Sequence, residues 1–424
     1  MSDPLVIVSA DCHIGPRLVE DLRAFCPSRL LTDFDAYAAS GCRSRGRYVE
    51  EDAVGTPRKE SMSPWRNRAT AGHHDPVARR RDLDFEGVAA EVIFHGSQND
   101  EPVPFQTSML GPPDDADLAC EGVRIYNRWL AAVCSDAPDR HVGLAQLPIW
   151  DVDASVEELR WAHAAGLKGV NFPAPRPWVR AYNDRAWEPF WAAAAETRMP
   201  LSTHSGGGDV GVQAGPELVA LVSIESGGWF SRRAAHLLVF AGVFERHPDL
   251  KLVLTEQPGI WWPGLCNELD SVHISMTPSN DALRAQVPRR PSEYLHRNVY
   301  IGGSFLSRAE AAAAVEGGYA DRIMWGSDYP HMESTFQYPG TDDFTGATSY
   351  GRLALRFTFA GLEEGPVRTM LGETAAAVYG LDLGALARVA AAIGAPTYED
   401  VSEPLEAVPA GASAFAFRTF GPWA

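Results

Sequence analysis

Apolar residues along this chain gather in short, β-branched-rich runs at 5–10, 90–94, 142–147, 167–172, 200–204, 250–255, 299–303 and 323–326. Between most of them lie stretches whose apolar positions recur with helical spacing, at 118–135, 156–165, 186–198, 231–246 and 308–318. A strand followed by a helix, repeated, predicts parallel βα units, because a parallel crossover needs a connection of about helix length. Eight such units predict an α/β protein of the closed (β/α)8 TIM-barrel type; a doubly wound open sheet is the alternative. A barrel takes about 250 residues, so much of a 424-residue chain must be insertion or extension. The largest excess, 17–81, is rich in Arg, Gly, Ser and Pro without clear periodicity, and reads as a lid, a wrap around the barrel or a surface loop. Helical patterns follow the last strand at 345–361, 366–371, 374–379 and 383–393. They lead into a tail with Phe415, Phe417, Phe420 and Trp423, expected to pack on the barrel or on a second subunit. The organisation expected is one barrel unit over 1–382, with 17–81 as insertion or lid, and a C-terminal helix and aromatic tail over 383–424.

Composition narrows the function classes. At 45% hydrophobic and 22% charged the chain is too apolar for disorder. Acidic residues number 55 against 37 basic ones, and the resulting charge of −18 argues against nucleic acid and anionic membrane as partners. No run approaches the ~18 apolar residues of a membrane span. The start, Met1-Ser2-Asp3-Pro4, lacks the basic region of a signal peptide, and the six Cys include no C-x-x-C pair. These features suit a cytoplasmic enzyme acting on a small molecule.

In a barrel the reactive groups lie at the carboxyl ends of the strands. The expected ends carry Asp11-Cys12-His13, His95, Asn171, His204, Glu256-Gln257, Ser304, and Asp328 followed by His331. Asp11 and His13 are two apart, so on a strand both side chains share a face and Cys12 takes the other. His204 and Asp328 can complete a set of two nitrogen and two oxygen donors. That set suits one divalent cation per chain, Zn²⁺ best, with Mn²⁺ or Fe²⁺ possible. Trp229, Phe230, Trp261, Trp262, Phe305 and Tyr329 suit a flat substrate or plain packing. The glycine-rich stretch Ser205-Gly206-Gly207-Gly208 fails the dinucleotide fingerprint. His73 and His74, being adjacent, point apart, and Arg43, Arg45, Arg47 and Arg180 have the character of surface residues.

The chain resembles the amidohydrolase superfamily, within it the amidohydrolase-related group that contains aminocarboxymuconate-semialdehyde decarboxylase and resorcylate decarboxylases. The resemblance rests on Asp11-Cys12-His13, the stretch from Arg81 to Val88 (RDLDFEGV), Leu201-Ser202-Thr203-His204, the stretch from Arg246 to Lys251 (RHPDLK), and that from Met324 to His331 (MWGSDYPH). It implies that Asp11, His13, His204 and Asp328 ligate a single metal and that Asp328 also handles protons. With Asn171 and Phe172 where other branches place a carbamylated lysine, it implies no second metal. Decarboxylases of the group carry His at the end of strand 6, where this chain has Glu256. A carboxylate is a general base, a metal ligand or a hydroxyl acceptor, not a cationic clamp. That departure favours a metal-dependent hydrolase of a small aromatic or unsaturated carbonyl or carboxylate substrate. Asp328 would serve as general base and acid on a metal-activated water, with Glu256 and His331 assisting and His95, Asn171, Trp261 and Phe305 as substrate contacts. The alternatives are a metal-dependent non-oxidative decarboxylase of an aromatic or unsaturated acid, and a barrel that binds a ligand without turnover. A homodimer is expected from the aromatic tail and from the family.

Overall fold

Eight strands form one parallel sheet in chain order: β1 (Val8–Ile14), β2 (Ala90–His95), β3 (His141–Ala145), β4 (Gly169–Asn171), β5 (Leu201–His204), β6 (Leu252–Thr255), β7 (Val299–Ser304) and β8 (Ile323–Gly326). The structure, a computed structural model, describes residues 3–40, 63–99, 101–106, 111–206, 221, 224, 226–257, 259–409, 412 and 417. The seam closes just beyond β8, where Asp328 N–H donates to the Asp11 carbonyl at 2.8 Å and His13 N–H to the Tyr329 carbonyl at 2.6 Å. This is the (β/α)8 barrel that the sequence predicts. Helices ring it: α1 (Leu31–Ala39), α2 (Pro76–Glu86), α3 (Ala116–Asp136), α4 (Val152–Ala164), α5 (Glu188–Thr197), α6 (Ser231–Phe240), α7 (Trp262–Met276), α8 (Pro291–Asn298), α9 (Arg308–Glu316), α10 (Tyr350–Phe359), α11 (Thr374–Tyr379) and α12 (Leu383–Ala392). Among the described residues no helix is long and apolar enough to cross a membrane.

The first strand differs from expectation in a way that matters for the site. It runs on to Ile14, so Asp11 and His13 lie within it. Its pairing with β2 slips between Ser9 and Cys12, where two residues, Ala10 and Asp11, face the single Val92 between Glu91 and Ile93. One extra residue in a strand reverses which side chains face each side of the sheet beyond it. Val8 and Ala10 therefore join the cluster that holds Val92, Val142, Leu144, Val253 and Met324 inside the barrel. Beyond the slip Cys12 and Ile14 belong to the outer core instead. Asp11 and His13 take over the inward positions.

Two helices near the C-terminus complete the barrel interior. Ala375 and Val378 of α11 and Leu386 and Ala390 of α12 share the inner cluster with the strands, and Tyr379 Oη lies 2.9 Å from Ser202 Oγ of β5. The chain start is tied to the same region by Leu5 N–H donating to the Pro396 carbonyl at 2.9 Å. The insertion is in part regular structure: Leu18, Leu22 and Phe34 are buried in the outer core, and α2 begins at Pro76 with Asp75 as its cap. Of the tail aromatics, Phe417 is buried against Phe357 of α10, their rings 6.0 Å apart. Phe415, Phe420 and Trp423 lie outside the described residues, as do Arg43, Arg45, Arg47, Gly207 and Gly208.

Candidate metal centre

Asp11, His13, His204 and Asp328 converge inside the carboxyl end of the barrel, one ligand atom of each lying within 4.8 Å of the others. His13 Nε2 is 3.2 Å from Asp11 Oδ1, 3.1 Å from Asp328 Oδ1 and 3.1 Å from His204 Nε2. His204 Nε2 is 3.5 Å from Asp11 Oδ1. Gly326 makes the approach possible, because a Cβ there would meet Asp11 Cβ at 2.9 Å and Ser304 Oγ at 3.0 Å. Ser304, the last residue of β7, donates its hydroxyl to Asp11 Oδ2. Asp328 itself has φ +58°, a left-handed backbone that a non-glycine residue adopts only under constraint from its surroundings.

The donor set fits a divalent cation. Asp11 Oδ1 and both oxygens of Asp328 are buried without a hydrogen-bond partner among the described residues, which in a protein interior calls for another partner. The nitrogens His13 Nε2 and His204 Nε2 face each other rather than a donor. His204 Nδ1–H donates to the Ser205 carbonyl at 2.9 Å, which points Nε2 into the cluster. Burial alone would lower the His204 imidazole, but the charges of Asp11 and Glu256 push it up to about 10. Burial would raise the Asp11 carboxyl, yet His204 and His13 hold it well below the usual range. The cluster thus draws positive charge to its centre.

Around this core the other candidate residues take distinct places. His331 donates Nε2–H to the Gly96 carbonyl at 2.7 Å and sets Nδ1 2.9 Å from Asp328 Oδ1. Its ring stacks on His13 at 3.8 Å. Glu256 lies behind His204, with Oε2 3.5 Å from Nδ1, and accepts the Ser205 hydroxyl. Thr255 occupies the last position of β6, and Glu256 turns with φ +55°. Burial and the nearby charges of Asp328 and Asp11 lift its carboxyl to about 7 against the pull of His204. His95 presents its carbonyl to His13 Nδ1 at 3.4 Å, while its ring packs edge-on against Tyr126. Burial, with His13 nearby, holds the His95 imidazole down to about 4. Asn171 ends β4 beside Ser202, and Phe305 is buried directly after β7. Trp261 donates its indole N–H to the Gln257 carbonyl at 2.8 Å and lies under the Arg232 guanidinium at 4.3 Å.

Sequence reasoning passed over a further polar group beneath the site. Tyr329 donates its hydroxyl to Asp82 Oδ2 at 2.7 Å, and Arg79 donates to the His13 carbonyl at 2.6 Å. Both acceptor and donor come from α2, inside a stretch that carries one of the motifs of the resemblance. The pair His73 and His74 forms no cluster: His73 is engaged by Ser97 Oγ at 3.0 Å and by the Asn67 carbonyl at 2.9 Å. Arg180 pairs with Asp184 at 2.9 Å on the surface.

The family model for amidohydrolases matches residues 73–381, most of the chain and two of the four clustered residues, His204 and Asp328. The chain belongs to the amidohydrolase family. Among curated amidohydrolase relatives, gamma-resorcylate decarboxylase of Rhodococcus jostii is 25% identical over 275 residues, 59% of this chain and 78% of that protein. Gamma-resorcylate decarboxylase of a Rhizobium species is 27% identical over 268 residues, 59% of this chain and 76% of that protein. Among solved structures, 5-carboxyvanillate decarboxylase from Novosphingobium aromaticivorans, with bound manganese and 3-methoxy-4-hydroxy-5-nitrobenzoic acid, superposes with a TM-score of 0.59. It is 19% identical, with 89% of this chain and 97% of that one covered, a likeness that establishes the fold. The comparisons overturn the hydrolase expected from the sequence. Its basis was the exchange of a histidine for Glu256, but these relatives are decarboxylases, and Glu256 stands behind His204 rather than among the four converging donors.

Proposed function

We propose that this amidohydrolase is a divalent-metal-dependent, non-oxidative decarboxylase of an aromatic hydroxy acid, a small benzoate with a hydroxyl beside its carboxylate. The observation that carries the reading is the convergence of Asp11, His13, His204 and Asp328 with three carboxylate oxygens unsatisfied, in a chain whose curated relatives include gamma-resorcylate decarboxylases. These four residues would hold the ion, with Mn²⁺ preferred by analogy to the manganese-bound neighbour and Zn²⁺ as the competitor. When bound, the cation supplies a Lewis-acid anchor for the carboxylate and the adjacent hydroxyl.

The protein's own groups do the rest. Asp328 delivers a proton to the ring carbon that bears the carboxylate. The bond from that carbon to the carboxylate then breaks, its electron pair restores the aromatic ring, and CO₂ leaves. His331, 2.9 Å from Asp328 Oδ1, fixes the carboxyl for that transfer. Glu256 cannot grip the substrate carboxylate, and its role is to accept or donate a hydrogen bond at a ring hydroxyl. Phe305 and Asn171 are the side chains proposed to line the ring. A cytoplasmic homodimer is part of the same proposal, with light scattering as its check. The chemistry is tested by incubating the Mn²⁺-loaded and Zn²⁺-loaded protein with a panel of ortho-hydroxybenzoates and measuring CO₂. Release of CO₂ with formation of the matching phenol supports the reading; inertness toward the whole panel with either metal bound refutes it.

A further inference from the structure

Beneath the candidate metal centre lies a fully buried ion pair whose arginine reaches the backbone of a proposed ligand. Arg79 of α2 and Glu91 of β2 are both 0% exposed. The guanidinium donates Nε–H to Glu91 Oε1 at 2.6 Å and Nη2–H to Oε2 at 2.5 Å, a bidentate fork. Its remaining arm, Nη1, donates to the His13 carbonyl at 2.6 Å and to the Gly72 carbonyl at 3.1 Å. The same cation lies 4.8 Å from the centre of the Tyr329 ring. His141, the first residue of β3, closes the network with Nδ1 2.9 Å from Glu91 Oε1. Burial would raise the Glu91 carboxyl, but Arg79 and His141 bring it down to about 2, so the pair stays charged.

The ladder explains why a side chain is needed at the His13 carbonyl. His13 N–H bonds the Tyr329 carbonyl, and a continuing parallel strand would return an N–H from two residues further on, from His331. Here His331 N–H turns to the Asp328 carbonyl instead, and Pro330 has no N–H to offer. The β1–β8 seam therefore ends at His13, and Arg79 supplies the missing donor. With Tyr329 packed on the same guanidinium, one residue contacts the chain at His13 and at the neighbour of Asp328.

Resting on the metal-centre reading above, we propose that Arg79, held by Glu91, is a positioning residue that sets the His13 imidazole and the Asp328 turn for metal binding. Only a planar fork can hold Glu91 with two bonds and still reach two carbonyls, so lysine is no substitute.

The test uses the full chain and Mn²⁺ or Co²⁺ alone as probes. Mn²⁺ affinity is read by titration of the free-ion EPR signal, and site geometry by the visible spectrum of bound Co²⁺. Arg79→Lys keeps the charge and loses the fork. The Arg79→Met/Glu91→Met pair removes both charges without leaving one buried alone. Each is expected to retain wild-type far-UV circular dichroism, to bind Mn²⁺ roughly 10–100-fold more weakly, and to shift the Co²⁺ bands. The control Arg140→Met loses a comparable set of bonds near α2, to Asp84 at 2.7 Å and to the Ala89 carbonyl at 3.0 Å, and should leave Mn²⁺ affinity unchanged. Folded Arg79 variants with wild-type affinity and spectrum overturn the proposal. So does a control that weakens Mn²⁺ as much, or failure of both Arg79 variants to fold, which would make the pair a structural device only. A wild-type protein that binds neither ion overturns the metal centre itself, a separate result.

Discussion

Glu86→Gln should flatten the dependence of stability on pH. Glu86 ends α2 in an enclosed position, such that a Cβ on Gly351 would run into its Oε2. The nearest cation, Arg352, donates Nε–H to the Phe85 carbonyl at 3.2 Å and Nη1–H to the Gly394 carbonyl at 2.8 Å. Burial pushes the carboxyl up from 4.5 to about 8, against weaker pulls from Ser349, Gly351 and Arg352. Between those two values the folded state keeps a proton that the unfolded chain has lost, so stability falls as pH rises through that window and levels off above it. At about 1.4 kcal/mol per pH unit, the penalty at pH 7 is on the order of 3 kcal/mol. A chain of this length has an unfolding entropy near 0.9 kcal/mol/K, so the penalty corresponds to roughly 3 °C in Tm. Glutamine fills the same space with no proton to lose, and the cost of burying its amide does not depend on pH. Thermal unfolding of both proteins at fixed scan rate from pH 5 to pH 8.5 should show the variant gaining on the wild type by about 4 °C across that range. Parallel Tm curves would refute the reasoning.

Three further outcomes follow from the same geometry. Asp328→Asn should keep its fold and much of its bound divalent ion, by elemental analysis, while CO₂ release falls by about 10³-fold or more; near-normal rates would remove its proton role. Gly72→Ala places a Cβ 1.7 Å from Tyr329 Oη, so the ring must shift, lowering stability by about 1–3 kcal/mol and weakening Mn²⁺ binding, measured by thermal unfolding and by titration. Stripping the protein with a chelator should lower Tm, and restoring Mn²⁺ to a hundred times its Kd should return about 2.7 kcal/mol; a Tm indifferent to both would argue against an ion at the centre.

The barrel was legible because its strands are short, apolar and followed by helices with a clear apolar stripe, such as α3 with Val123, Tyr126 and Leu130 buried. Helix α7 has no legible period for a physical reason: its buried stripe is Trp262, Leu265, Leu269 and His273, while Val272, Ile274 and Met276 are exposed. The same holds more strongly for α2, whose buried positions are mostly charged: Arg79, Asp82 and Glu86 beside Ala78 and Leu83. Hydrophobic periodicity cannot find a helix that buries ion pairs. The convergence of Asp11 and His13 with His204 and Asp328 followed from strand order, but the slip in β1 that turns the first two inward carries no local signal. Nor do the left-handed backbones of Glu256 and Asp328. Residue type alone does not locate Glu256, whose place behind His204 depends on that turn.

The most direct test of the account is to follow both atoms that move. The Mn²⁺-loaded protein is incubated in D₂O with 2,6-dihydroxybenzoate carrying ¹³C in its carboxyl group, and the products are identified by mass and NMR. Decarboxylation predicts labelled CO₂ in equal amount to a phenolic product bearing one deuterium at the vacated ring carbon. A product that keeps the labelled carboxyl and has gained the elements of water would contradict it.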